Sequence, residues 1–85
     1  MYKILLHKKA AKIYERLDEK SAAILNEGIE SLKNNPFYGR NIKRLKGDLE
    51  GKFRLRIGKY RVVYRVEKAE KIIIIEDIGR RGKVY

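Results

Sequence analysis

The hydrophobic pattern of this chain changes period twice. Residues 2–7 (YKILLH) alternate briefly, with Ile4 and Leu6 on one face and Lys3 and Leu5 on the other, as in a short strand. From residue 8 to Leu17 the spacing changes: Ala10, Ile13, Tyr14 and Leu17 fall at i, i+3, i+4 and i+7, one face of a helix. Asp18 is a capping residue between this helix and a second over residues 19–33. The second helix has Ala22, Leu25, Ile29 and Leu32 as its buried stripe, and Gly28 to let the partner helix approach. So short a link predicts an antiparallel helical hairpin. Asn34, Asn35 and Pro36 stop the second helix, because proline cannot donate and restricts the residue before it.

Period 2 returns over residues 53–66, FRLRIGKYRVVYRV, on both sides of Gly58-Lys59. This reads as two strands joined by a tight hairpin with glycine at the first turn position. A two-residue loop pairs Ile57 with Tyr60, Arg56 with Arg61 and Leu55 with Val62. One face is then apolar, and the other carries Arg54, Arg56, Arg61 and Arg65. Like charges set opposite each other cost roughly a few tenths to 1 kcal/mol per pair, and the simplest reason to keep such a pair is an anionic partner. Residues 36–52 read as a connector punctuated by Gly39, Gly47 and Gly51 and anchored by Ile42, Leu45 and Leu49. A turn at 68–70 leads to a last strand, 71–77, whose four isoleucines show no clean alternation and predict cover on both faces. Residues 78–85 read as a terminal tail. The expected order is β-α-α-β-β-β: a single α+β domain over 1–85, with the N-terminal helical hairpin on one face of a small, largely antiparallel sheet and the arginine face open.

Charge sharpens this picture. The 85 residues carry a formal net charge of +11. Residues 40–65 hold ten Lys/Arg against two Asp/Glu, and so supply +8 of it. That concentration is the footprint of a nucleic-acid binder, although an acidic protein would be drawn to the same patch. Cysteine is absent, which excludes disulfides and thiolate metal sites. The apolar run near the start is too short for a signal-peptide core, and the longest apolar stretch, 72–75, cannot span a bilayer, so a cytoplasmic protein is expected. The lack of glutamine and threonine and the heavy use of lysine, glutamate and isoleucine lean toward a thermophilic source.

Candidate chemistry narrows quickly. The single histidine, His7, lies at a strand-to-helix junction, where a structural role is expected. Asp48/Glu50 and Glu76/Asp77 are the nearest approach to a cation-binding carboxylate pair, and metal-dependent cleavage is disfavoured. No Ser-His-Asp or Cys-His set can be assembled. Arginine, lysine and tyrosine remain, and they suffice for phosphoryl chemistry on RNA, where the attacking group is the substrate's own 2'-hydroxyl. Arginine presents a planar fork of donors to phosphate, and tyrosine a face on which a base can stack. Tyr14, Tyr60 and Tyr64 fall on apolar faces and read as core, whereas Tyr85 ends a basic, glycine-flanked tail.

The run from Leu45-Lys46-Gly47, through Phe53-Arg54-Leu55-Arg56 and Tyr60-Arg61-Val62-Val63-Tyr64, to Arg81 and Tyr85 resembles the RelE branch of the RelE/ParE superfamily of toxin–antitoxin toxins. With the two leading helices, the resemblance covers nearly the whole chain. It implies a ribosome-dependent, metal-independent mRNA endonuclease that needs no cofactor and cuts in the ribosomal A site, by attack of the 2'-hydroxyl on the adjacent phosphate. By position, Arg61 matches the strand arginine that holds the scissile phosphate, Arg81 the tail arginine that protonates or stabilises the leaving oxygen, and Tyr85 the tyrosine that stacks on or orients a base. Arg54 and Arg56 stand where studied relatives carry two lysines, one of them proposed as general base. Arginine stays protonated in proteins, so Lys52 or Lys43 would take that role, or the site works by charge stabilisation alone. Lys43, Arg44, Lys46, Lys52, Arg65, Arg80 and Lys83 are the expected contacts to mRNA and ribosomal RNA. The resemblance also implies a cognate acidic, RelB-like antitoxin. The competing readings are a ParE-like toxin that binds DNA gyrase and a non-catalytic RNA- or ribosome-binding module.

Overall fold

The computed structural model describes residues 1–80, and its elements follow from the periodicities above. The order is β1 (Lys3–Leu6), α1 (Lys8–Glu15), α2 (Glu19–Ser31), β2 (Ile42–Arg44), a single 3-10 turn (Gly47–Leu49), β3 (Phe53–Ile57), β4 (Tyr60–Glu67) and β5 (Ile72–Arg80). One five-stranded sheet runs β1-β5-β4-β3-β2, antiparallel throughout except for the parallel β1–β5 pair. Both helices lie on one face of it. The chain is an α+β domain, as its pattern of elements requires.

Two elements differ from the expected order. Residues 42–44, expected in a connector, form β2 and pair with β3, Ile42 against Leu55 and Arg44 against Phe53. A three-residue edge strand holding one apolar residue is too short to show a period. The last strand also runs on to Arg80, so residues 78–80, read as tail, pair with β4. Nor is this strand covered on both faces. Ile73 and Ile75 are buried against the helices, and Ile72 and Ile74 are half-buried on the other side.

The hairpin has the expected register: Ile57 faces Tyr60, Arg56 faces Arg61 and Leu55 faces Val62. Gly58 takes the left-handed conformation (φ 55°) that this two-residue turn needs at its first position. His7 caps α1, its Nδ1 accepting from the backbone N–H of Lys9 at 3.3 Å. Asp18 occupies the N-cap of α2 but makes no capping hydrogen bond through its side chain.

Each helix finds its main partner in the sheet, α1 on β5 and β1, and α2 on β3. Gly28 serves that second contact and not a helix–helix one. A Cβ there would stand 2.3 Å from Ile57 Cδ1. Tyr60 and Tyr64 are core residues, as expected, and their hydroxyls are satisfied. Tyr60 donates to Ser21 Oγ at 3.2 Å, and Tyr64, wholly buried, donates to the Pro36 carbonyl at 2.6 Å. Burial pushes the Tyr64 hydroxyl up, well away from ionisation. Tyr14, half-buried on α1, donates to Asn26 on α2. Phe37 packs edge-on to Phe53 at 5.7 Å, and Phe53 stacks on Tyr64 at 5.5 Å, which closes the core beneath β3 and β4.

Candidate nucleic-acid interface

The side of the sheet away from the helices is organised by cross-strand rows, because partners in a ladder share a face. One row runs Arg56, Arg61, Gly79 across β3, β4 and β5. The next, two residues along, runs Lys43, Arg54, Val63, Asp77 from β2 to β5. A third holds Arg65 against Ile74 and, beyond it, Leu5 of β1. Arg54, Arg56, Arg61 and Arg65 are each half-buried on this face. Arg54 Nε is buried with no hydrogen-bond partner among the described residues. A buried donor in that state has an incentive to take an acceptor from outside.

The connector from β2 to β3 folds back over this face. Leu49, in the 3-10 turn, lines a cleft of about 380 Å³ with His7, Lys9, Lys52, Val63, Glu76 and Asp77. Val63 forms part of its floor and is only 4% exposed, although it faces away from the helices.

Two carboxylates enter this basic face through a β-bulge. Val63 pairs with Asp77 and Tyr64 with Ile75, so Glu76 is an extra residue on β5. In a regular strand, Glu76 and Asp77 would point to opposite faces. The bulge lets both line the arginine side, and Ile78 returns to the core. Glu76 is held at both oxygens, by Lys52 Nζ at 2.6 Å and by Arg65 Nε at 2.9 Å. Burial works to raise its carboxyl, but hydrogen bonds and charge from Lys52 and Arg65 outweigh that and leave it below the ordinary carboxylate range. Asp77 Oδ2 meets Lys9 Nζ at 3.2 Å, and its Oδ1 accepts from the Ile78 N–H at 2.9 Å. Sequence reasoning considered this acidic pair only as a cation site. The one signal of more was two consecutive acids interrupting the apolar run of a strand.

The expected contact residues divide between surfaces. Lys43, Lys52, Arg54, Arg56, Arg61 and Arg65 share the arginine face. Arg44 does not: it pairs with Phe53 on the helix side, its guanidinium 5.7 Å from that ring. Arg80 pairs with Tyr60, whose ring belongs to the core face, and is exposed. Lys46 is exposed just before the 3-10 turn. Arg81, Lys83 and Tyr85 lie outside the described residues. Chemically, the face offers a dense field of planar donors with a shallow cleft beside it, suited to binding phosphates and to stabilising extra negative charge on one of them.

Known proteins resemble this chain in sequence and in fold. The model of the ParE toxin of type II toxin–antitoxin systems matches residues 4–85. The chain is 41% identical to the RelE1 protein of Methanocaldococcus jannaschii, over 99% of this chain and 94% of that one. It is 39% identical to the toxin RelE of Mycobacterium tuberculosis, over 99% of this chain and 86% of that one. Among solved structures, it superposes on a chain of the RelBE2 toxin–antitoxin complex of M. tuberculosis with a TM-score of 0.83 at 26% identity, covering 94% of this chain and 98% of the other. With an arginine-faced sheet backed by two helices, and with relatives of this kind along its whole length, the chain belongs to the RelE/ParE family of type II toxin–antitoxin toxins and is of the RelE type.

Proposed function

We propose that this toxin is a ribosome-dependent endoribonuclease that cuts mRNA in the A site and so blocks translation. The observation that carries the reading is the hairpin register, which sets Arg56 opposite Arg61 and Arg54 one row away, on the face turned away from α1 and α2. Such clustering works against folding and is repaid by an anion. In the proposed reaction Arg61 holds the scissile phosphate, and Arg54 and Arg56 stabilise the charge that grows on it as the RNA's own 2'-hydroxyl attacks. Arg81 and Tyr85 serve the leaving oxygen and the base. Because the nucleophile belongs to the substrate, the protein has to supply only orientation, charge and proton transfer, which asks for no metal or cofactor. Lys43, Lys46, Lys52, Arg65 and Lys83 then contact mRNA and ribosomal RNA, with Arg44 and Arg80 reaching it from the edges of the sheet.

The cognate partner in this reading is an acidic, RelB-like antitoxin that covers the same basic face. A toxin–antitoxin complex is what the M. tuberculosis structure contains. Among the described residues no helix is long and apolar enough to cross a membrane, and the proposed target places the toxin in the cytoplasm.

The test is primer extension on translating ribosomes that carry a defined mRNA. Cuts inside the A-site codon are expected with the parent protein and only when ribosomes are present. Arg61→Ala should lower the cleavage rate about 10²- to 10³-fold, the usual cost of one well-placed anion-stabilising donor. Intact mRNA from a preparation that still arrests growth would refute the reading. The matching family model is that of a ParE toxin, so in that event inhibition of DNA gyrase supercoiling is the next assay.

A further inference from the structure

Cleavage by a 2'-hydroxyl needs a group to take its proton, and the four arginines of the face cannot lose one. The structure narrows the other choices. Lys52 is engaged by Glu76 at 2.6 Å, and Glu76 has both oxygens held by cations. His7 has its Nδ1 lone pair engaged in capping α1. Lys43 sits on the edge strand β2, at the far end of its row from the cleft. Asp77 remains. Its Oδ2 meets only the exposed ammonium of Lys9 among the described residues. It shares a cleft of about 380 Å³ with the floor residue Val63. It is also a diagonal neighbour of Arg61 across the β4–β5 ladder, since Val63 pairs with Asp77 and Arg61 with Gly79. Diagonal neighbours stand roughly 7–8 Å apart, within reach of a long side chain and of the sugar next to a phosphate it holds. Between them, Gly79 adds no side chain to the surface. The Glu76 bulge turns Asp77 away from the core, and bulges recur beside active sites because they re-aim a side chain.

We infer that Asp77 is the general base of the proposed cleavage, receiving the 2'-hydroxyl proton in the cleft beside Arg61. This rests on the endoribonuclease reading above. In the step, the 2'-oxygen forms a bond to phosphorus as its proton passes to Asp77 Oδ2. The bond from phosphorus to the 5'-oxygen breaks, and that oxygen takes a proton from water. The products are a 2',3'-cyclic phosphate and a 5'-hydroxyl. The charged and titratable groups facing this carboxylate are His7, Lys9, Lys52 and Glu76, which line the cleft with it, and Arg61 and Arg54 on the neighbouring strands β4 and β3.

The test is single-turnover cleavage on programmed ribosomes as a function of pH, with Asp77→Asn and Asp77→Glu beside the parent. Asparagine keeps the shape and the acceptor for the Ile78 N–H while removing the base. Asp77→Asn is expected to bind ribosomes at least as tightly as the parent, to cut about 10²-fold more slowly or worse, and to lose the fall in rate that the parent shows on the acid side. Asp77→Glu should recover part of the rate together with that acid limb, and it decides the matter if the asparagine variant melts early. Cleavage by Asp77→Asn within about threefold of the parent, with the same pH profile, overturns the inference and leaves the endoribonuclease reading intact. A parent protein that cuts nothing overturns both.

Discussion

Gly28 offers a direct test of how α2 is seated on the sheet. Replacing it with alanine places a methyl 2.3 Å from Ile57 Cδ1 and 2.7 Å from Ile57 Cγ1, well inside van der Waals contact. Ile57 is branched at Cβ and held in a strand, so it must change rotamer or the helix must lift off β3. Overpacking of this kind costs about 1–3 kcal/mol, while alanine in place of glycine inside a helix returns about 1 kcal/mol. The net expectation for Gly28→Ala is a loss of about 0–2 kcal/mol. In an Ile57→Ala background the obstruction is gone, and the same substitution should instead stabilise by about 1 kcal/mol. The two substitutions are therefore coupled by about 2 kcal/mol, a value typical of residues in contact. Urea unfolding of the four proteins measures it, and thermal melting gives a parallel reading, since about 1 kcal/mol moves the midpoint by roughly 4–8 °C in a domain of this size. A stabilising effect of Gly28→Ala in the parent, equal to that in the Ile57→Ala background, would refute the close approach of α2 to β3.

The remaining predictions concern the turn, the acidic pair and the basic face. Lys71 is the one non-glycine residue in the left-handed region among the described residues, at φ 56°. Lys71→Gly should raise stability by about 0.5–1 kcal/mol in chemical unfolding, the left-handed cost of about 1–2 kcal/mol less the extra chain entropy of glycine. Because the Glu76 carboxyl is lowered from its ordinary 4.5, the folded protein binds fewer protons there than the unfolded chain, and Glu76 contributes stability above pH 4.5 that is lost as pH falls through the folded value. Melting midpoints recorded against pH should show that acid loss in the parent and a shallower one in Glu76→Gln; identical slopes would exclude it. Ribosome affinity should fall linearly on a log–log plot against salt, and Arg54→Ala should reduce the slope by about 1 if Arg54 meets a phosphate.

How much of the molecule could be read in advance depended on how local its cause was. The hairpin register came out correctly because Gly58-Lys59 and strict alternation around it leave one pairing that keeps Phe53, Leu55, Tyr60 and Val62 on a single face. The core roles of Tyr60 and Tyr64 and the charged face of Arg54, Arg56, Arg61 and Arg65 follow from the same parity. The short strand β2 was missed because three residues with one apolar side chain have no period, and its pairing is provided by β3. The extension of β5 to Arg80 was hidden by Gly79, which reads as a break but sits in the ladder opposite Arg61.

By itself, then, the sequence determined the α+β class, the arginine-rich face and the resemblance to RelE toxins, since each rests on periodicity, parity or an ordered set of short motifs. Only the tertiary structure decided which neighbours those residues have. It set Gly28 against Ile57, returned β1 to lie parallel to β5, sent Arg44 to the far side of the sheet, and turned Glu76 and Asp77 together onto the arginine face. A bulge shifts the parity of every residue beyond it, and the strand opposite determines where it forms.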